Sequence, residues 1–125
     1  MPPARKAAPR QQGDWAEARA AAHLAQAGLT LLCRNYRCRL GEIDLVMQDG
    51  ADLVFVEVRC RSGRGYGGAA GSVTGRKIAR LVNTARHYLM THPEANLRRC
   101  RFDVIAISGA PARPELEWIR DAFQA

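Results

Sequence analysis

Three acidic side chains, Glu42, Asp44 and Glu57, fall inside stretches that are otherwise apolar and strand-like, GEIDLVM and LVFVEVRC. A carboxylate taken out of water is costly unless it is paired, hydrogen-bonded or ligated. Three of them in one expected hairpin therefore need a partner. A hard divalent cation, Mg²⁺ or Mn²⁺, suits that donor set, because such ions favour carboxylate and carbonyl oxygens. A plainer reading keeps the same residues as a structural charge cluster, with Glu42 and Glu57 paired to Arg59 and Arg61.

The spacing decides which acids can meet. Two strand-like runs, Glu42–Gln48 and Leu53–Arg61, flank Asp49-Gly50-Ala51-Asp52, which carries an Asp-Gly hairpin signal. With Gly50 and Ala51 at the turn, Asp44 lies opposite Glu57 and Glu42 opposite Arg59. With Asp49 and Gly50 at the turn, Asp44 sits diagonal to Glu57 and Glu42 faces it. Both registers gather the acids and Arg59 on one face, whereas a three-residue turn sends Asp44 and Glu57 to opposite faces. The other face reads Ile43, Leu45, Met47, Val54, Val56, Val58 and Cys60, a continuous core surface. Like charges across a hairpin destabilise it by roughly 0.2–1 kcal/mol before burial is counted, and a bound cation reverses that sign.

The elements that position these residues are few. At 125 residues the chain is the size of one domain. Residues 1–12 read as a flexible basic tail and residues 13–125 as a single domain. Asp14 is placed to cap a helix through about Ala27, ended by Gly28. Glu17 shares a stripe with Ala20, Ala21 and Leu24, so it faces the packed side. Its spacing from Asp14 also makes a capping box, and that role is compatible with one at the metal. A strand at Leu29–Cys38, the acidic hairpin, and a glycine-rich loop at Gly63–Gly71 follow. Thr74 or Ser72 opens a second helix to about Thr91, with Ile78, Leu81, Val82, Ala85 and Leu89 as its apolar stripe. A strand at Arg99–Ser108 and a short segment around Glu117–Phe123 close the chain. The order predicts an α/β sandwich with a central mixed sheet flanked by α-helices.

Net charge is +7 with 17 Arg against 2 Lys. An Arg-rich cationic chain favours a polyanionic partner, since guanidinium groups fork onto phosphates and stack on bases. Arg61, Arg64 and Tyr66 in the glycine loop, with Thr74, Arg76, Lys77 and Arg80 at the start of the second helix, are the candidate nucleic-acid contacts. The loop's GxGxxG lacks an acid about 20 residues on and the helix follows too late, so it is not a dinucleotide fingerprint. No apolar run reaches the roughly 18 residues of a membrane span, and the N-terminus lacks a secretory apolar segment. The expectation is a cytoplasmic protein with no membrane partner. Four scattered cysteines show no zinc spacing. Asp103, in RFDVIAI, is expected to pair with Arg99 or Arg101.

Taken together, Glu17 ahead of an Ala-rich helix, Arg34-Asn35-Tyr36-Arg37, Gly41-Glu42-Ile43-Asp44-Leu45-Val46, Phe55-Val56-Glu57-Val58-Arg59, Tyr66-Gly67-Gly68, Ser72-Val73-Thr74 and Arg101-Phe102-Asp103-Val104 resemble the YraN-like family of small bacterial proteins. The resemblance spans about residues 13–123. It implies a restriction-endonuclease-like fold related to Holliday-junction resolvases, carrying the PD-(D/E)xK metal motif. On that mapping Asp44 is the central acid, Glu57 the second acid, and Glu17 the helix acid of resolvase-type members. Arg59 stands at the motif's lysine position. Its pKa, above about 12, bars it from acting as a base, which leaves water activation to the metal or to another cation such as Lys77.

The expected activity is therefore Mg²⁺- or Mn²⁺-dependent hydrolysis of phosphodiester bonds, in DNA that includes branched forms. Asp44, Glu57, the carbonyl of Val58 and Glu17 are the candidate ligands, and Arg59 the group that offsets transition-state charge. By analogy with resolvases a homodimer is expected. Two alternatives stay open: a non-catalytic nucleic-acid-binding module on the same fold, and a basic adaptor for an acidic protein partner.

Overall fold

The computed structural model describes residues 11–60, 74–95, 98–110 and 112–124. Runs rich in Val, Ile, Leu and Phe form the strands, as their fit to a pleated, half-buried surface requires. These are β1 (Thr30–Cys38), β2 (Gly41–Asp49), β3 (Asp52–Cys60), β4 (Cys100–Ala110) and β5 (Arg113–Phe123). Helix α1 (Gln11–Gln26) precedes β1, and helix α2 (Gly75–Thr91) lies between β3 and β4. The strands stand in sequence order across one sheet. All neighbours are antiparallel except β3 and β4, which run parallel because the α2 crossover returns the chain to the same end. The α/β class and mixed sheet expected from the element order are what the chain adopts.

Alternation along β3 divides the core. Leu53 and Phe55 point to one face, where Leu81, Val82, Ala85 and Tyr88 of α2 cover them. Val54 and Val56 point to the other, under Ala16, Ala20 and Leu24 of α1. The helices thus sandwich the sheet, and both approach the end of the β2–β3 hairpin. Gly50 and Ala51 form its turn, with Asp49 paired to Asp52 and Gly50 at φ 62, as a turn with glycine at its first central position requires. This is the register that sets Asp44 level with Glu57. The ladder stops at Leu45–Val56, one step before the acids.

Strict alternation fails at Asp44. Leu45 and Met47 join the α1-side core as expected, whereas Ile43 packs on the α2 side. On β1, Asn35 at the step across from Asp44 has φ 55, and the ladder passes from Arg34–Leu45 directly to Tyr36–Ile43. The local twist at this pair turns Ile43 across the sheet. Val58 lies at the margin of the α1-side core and Cys60 is exposed, so the expected core face ends sooner than alternation suggests.

The ends of the elements carry further differences. Helix α1 starts at Gln11, which leaves Asp14 inside the first turn rather than at the cap. The Asp14–Glu17 capping box is therefore not formed. Gly28, at φ 104, does end the helix, and Leu29 N donates to Leu24 O at 3.0 Å. Thr74 caps α2 by accepting from Lys77 N at 3.2 Å. β5 is longer than the segment read from sequence, with Pro114, Leu116 and Trp118 half-buried between exposed Glu115 and Glu117. Each edge of the sheet is irregular. β1 slips register between Leu31 and Cys33; β5 slips where Phe102 gives way to Val104 on β4, with Asp121 at φ 52.

Candidate metal centre

Where β2 and β3 stop pairing, the carboxylate of Asp44 fills the opening. Val58 N donates to its Oδ2 at 2.8 Å. The N–H and C=O of one strand residue face the same side, so the Val58 carbonyl faces this opening as well. Glu17 reaches the place from α1 and Glu42 from β2; one carboxylate oxygen each of Glu17, Glu42 and Asp44 lie within 4.8 Å of one another. Glu57 stands outside that mutually close set, although its charge is the strongest electrostatic influence on Asp44. A cavity of about 300 Å³ is lined by Glu42, Asp44, Glu57, Val58 and Arg59, with Lys77, Arg80 and Leu81 of α2.

The outer acids have cationic neighbours. Arg34 Nη2 lies 3.6 Å from Glu17 Oε1, and Arg37 Nε 3.3 Å from Glu42 Oε2. Arg59 Nη1 (3.1 Å) and Lys77 Nζ (3.6 Å) share Glu57 Oε2. The Arg34 and Arg37 side chains are 38% and 45% exposed. Solvent screens such pairs, and each contributes less than about 1 kcal/mol. Glu17 itself is only 8% exposed, and its Oε1 makes no hydrogen bond.

Asp44 is the acid whose charge is most strongly disfavoured. Burial, first, and the neighbouring charge of Glu57 push its pKa up to about 8; Glu17 and Glu42 add to this, and the Val58 amide pulls the other way. The fold contains a comparison. Asp103 is completely buried, yet it accepts from Arg101 Nε (3.0 Å) and Nη2 (3.2 Å), Trp118 Nε1 (2.9 Å) and Asp121 N (2.9 Å). Its partner Arg101 is one of the two arginines expected from sequence, Arg99 being the other. A structural aspartate is thus fully supplied with donors, while Asp44 is surrounded by acids. A hard divalent cation fits the donor set at Asp44: carboxylate oxygens from two elements, one of them without a hydrogen bond, and a backbone carbonyl alongside.

Residues 16–107 match the model of a family described as Uncharacterised protein family UPF0102. The chain belongs to UPF0102. The YraN-like resemblance read from its motifs is to this family. A UPF0102 protein of Methylococcus capsulatus is 54% identical over 113 residues, covering 90% of each chain. One from Nitrosomonas europaea is 55% identical over 112 residues, 90% of this chain and 92% of its own. One from Xanthomonas oryzae is 52% identical along all of this chain and 98% of its own.

Within this UPF0102 chain the expected ligands sort into two groups. Asp44 and Glu17 come together, with Val58 adjoining through its backbone; Glu57 lies beside them, engaged by Arg59 and Lys77. Glu42 joins the close set although the ligand reading of the sequence left it out. Its shared face with Asp44 in both hairpin registers was the available signal. Of the expected nucleic-acid contacts, Lys77 and Arg80 line the cavity, Thr74 caps α2, and Arg76 is exposed beside them. Arg61, Arg64, Tyr66 and Ser72 lie outside the described residues. Among the described residues no helix is long and apolar enough to cross a membrane.

Proposed function

We propose that this protein is a metal-dependent nuclease that hydrolyses phosphodiester bonds of nucleic acid, DNA first, on a restriction-endonuclease-like sandwich. One observation carries the reading: Asp44 is a half-buried carboxylate whose only polar donor contact described is a single amide, held among three other acids in a cavity with a cationic rim. That arrangement destabilises the protein by itself and becomes favourable when a divalent cation shares the charge. Mg²⁺ or Mn²⁺ at such a place polarises a phosphoryl oxygen and lowers the pKa of water.

The chain's own residues supply the remainder. Asp44, Glu42 and Glu17, with the Val58 carbonyl, hold the ion; Glu57 completes the acidic wall and fixes the two cations beside it. Arg80 and Arg76, on the exposed side of α2, neutralise backbone phosphates and set the approach of the strand. The Arg-rich surface raises the local concentration of a polyanion.

A second reading is supported by a specific observation: Glu17, Glu42 and Glu57 each have a cation within 4 Å. A charge cluster of this kind suits a nucleic-acid-binding module that does not cut. Titration calorimetry with Mn²⁺ and cleavage of duplex, single-stranded, flap and four-way-junction DNA and of RNA separate the two. The nuclease reading expects one high-affinity ion and Mn²⁺-dependent cutting, both lost in Asp44→Ala. Salt-sensitive binding without metal or cutting supports the module, and indifference to every nucleic acid supports an adaptor for acidic proteins.

A further inference from the structure

We infer that Lys77, rather than Arg59, is the cation that meets the reacting phosphate, and that Arg59 serves to hold Glu57; the inference rests on the nuclease reading above. Arginine supplies 17 of the 19 cations in this chain, and Lys77 is the one lysine among the described residues. It lies on the wall of the acidic cavity. Where every other cationic position of the described structure is filled by arginine, a lysine at this one needs a local reason.

The two cations hold Glu57 differently. Arg59 stands two residues along the same strand, so both side chains leave one face of β3, and its Nη1 donates to Glu57 Oε2 at 3.1 Å. Its side chain is 26% exposed, and a planar guanidinium in such a bond is fixed in orientation. Lys77 Nζ is 3.6 Å from the same oxygen, beyond hydrogen-bond length, and its side chain is 41% exposed. The base of that side chain is nonetheless anchored, because Thr74 accepts from Lys77 N. A fixed stem with a compact, rotatable ammonium is suited to turn from a carboxylate to an arriving phosphate.

The position is also an unfavourable one for a cation. Lys77 and Arg76 occupy the first turn of α2, which contains no acidic residue, and the positive end of the helix dipole disfavours positive charge there. Glu57 relieves this in part. A phosphate held beside the ion relieves it further, so substrate is the missing counter-charge for a lysine placed against the dipole.

The test uses the whole protein with a DNA duplex, Mn²⁺ for cutting and Ca²⁺ for binding without turnover. Lys77→Met is expected to lower the single-turnover rate at saturating DNA by about 100-fold, the usual loss for one transition-state charge partner. Mn²⁺ affinity and melting temperature stay unchanged, and Lys77→Arg, which keeps the charge on a planar and less compact head, recovers only part of the rate. Arg59→Met, which frees Glu57 without removing the phosphate contact, is expected to cut within about threefold of wild type at saturating Mn²⁺. A Lys77→Met enzyme that cuts within about threefold of wild type overturns the assignment, as does an Arg59→Met enzyme that stays slow at saturating Mn²⁺. If wild type cuts nothing, the Ca²⁺-dependent gain in DNA affinity takes over as the readout. Its loss in Lys77→Met upholds the contact and its survival refutes it. If wild type shows neither cutting nor that gain, the nuclease reading itself falls and takes this one with it.

Discussion

Replacing Asp44 with asparagine should stabilise the metal-free protein, and the gain should depend on pH in a defined direction. The carboxyl's pKa is about 8 in the folded chain against 3.8 for an unperturbed aspartate. The native state therefore binds this proton more tightly than the unfolded state does. Such a group lowers stability progressively as pH rises from about 4 to about 8, and the full cost is present above that window. Four units correspond to roughly 6 kcal/mol at 1.36 kcal/mol each, an upper bound because water and the neighbouring acids relax around the charge. Asparagine keeps an acceptor for Val58 N and carries no charge. We expect Asp44→Asn to be about 2–4 kcal/mol more stable than wild type at pH 8 in EDTA, and equal to it near pH 4. For a domain of this size that is roughly 8–16 °C in Tm. Urea denaturation of both proteins at half-unit steps from pH 4 to pH 9 reads the effect. Adding Mg²⁺ at pH 8 should reverse the order, because only wild type gains by binding the ion. An asparagine variant less stable at pH 8 in EDTA, or a difference that does not change with pH, refutes the reasoning.

Three other outcomes are expected. Metal affinity should fall about tenfold for each pH unit below 8, because the ion must displace the proton on Asp44; calorimetry in buffers of different ionisation enthalpy should count close to one proton released. Gly41→Ala should cost about 1–3 kcal/mol, since Gly41 has φ 153 and an added Cβ would lie 2.8 Å from Thr84 Oγ1 on α2; a lower urea midpoint with an unchanged m-value checks it. Asp103→Ala should cost about 1–3 kcal/mol by leaving the Trp118 indole N–H and the Asp121 amide without their acceptor, while Arg101 keeps Asp49 and Asp52, with the altered Trp118 environment visible in tryptophan fluorescence and the loss independent of added Mg²⁺.

Local signals carried most of the fold. The Asp-Gly pair placed the hairpin while leaving two registers open, of which the chain takes the one with Gly50 and Ala51 at the turn; Gly28 ended α1 and Thr74 capped α2, because each acts over three or four residues. Asp14 misled for the same reason: a good cap residue was overrun when the helix extended back to Gln11. The length of β5 was obscured by Pro114 and by charges on its exposed face, and pairing with β4 supplied what propensity did not. At the site, Asp44 and Glu17 were legible as acids set among apolar residues. Glu42's place beside them, and the turning of Ile43 to the α2 side, depend on the left-handed Asn35 across the sheet, a tertiary effect with no short-range signature. Arg61, Arg64 and Tyr66 fall outside the described residues, and the reading of the glycine loop stands as an expectation.

The two breaks in the outer strands also bear on how the protein behaves in company. Among the described residues no strand pairs outside β1 or β5, and such sheet edges offer amides and carbonyls to any neighbour. Asn35 and the slip after Leu31 interrupt one rim; Asp121 and the slip beside Asp103 interrupt the other. Straightening either rim, for example with valine at position 35, should make concentrated solutions turn cloudy on warming well before the core melts, so solubility here is written into the kinks as much as into the net charge.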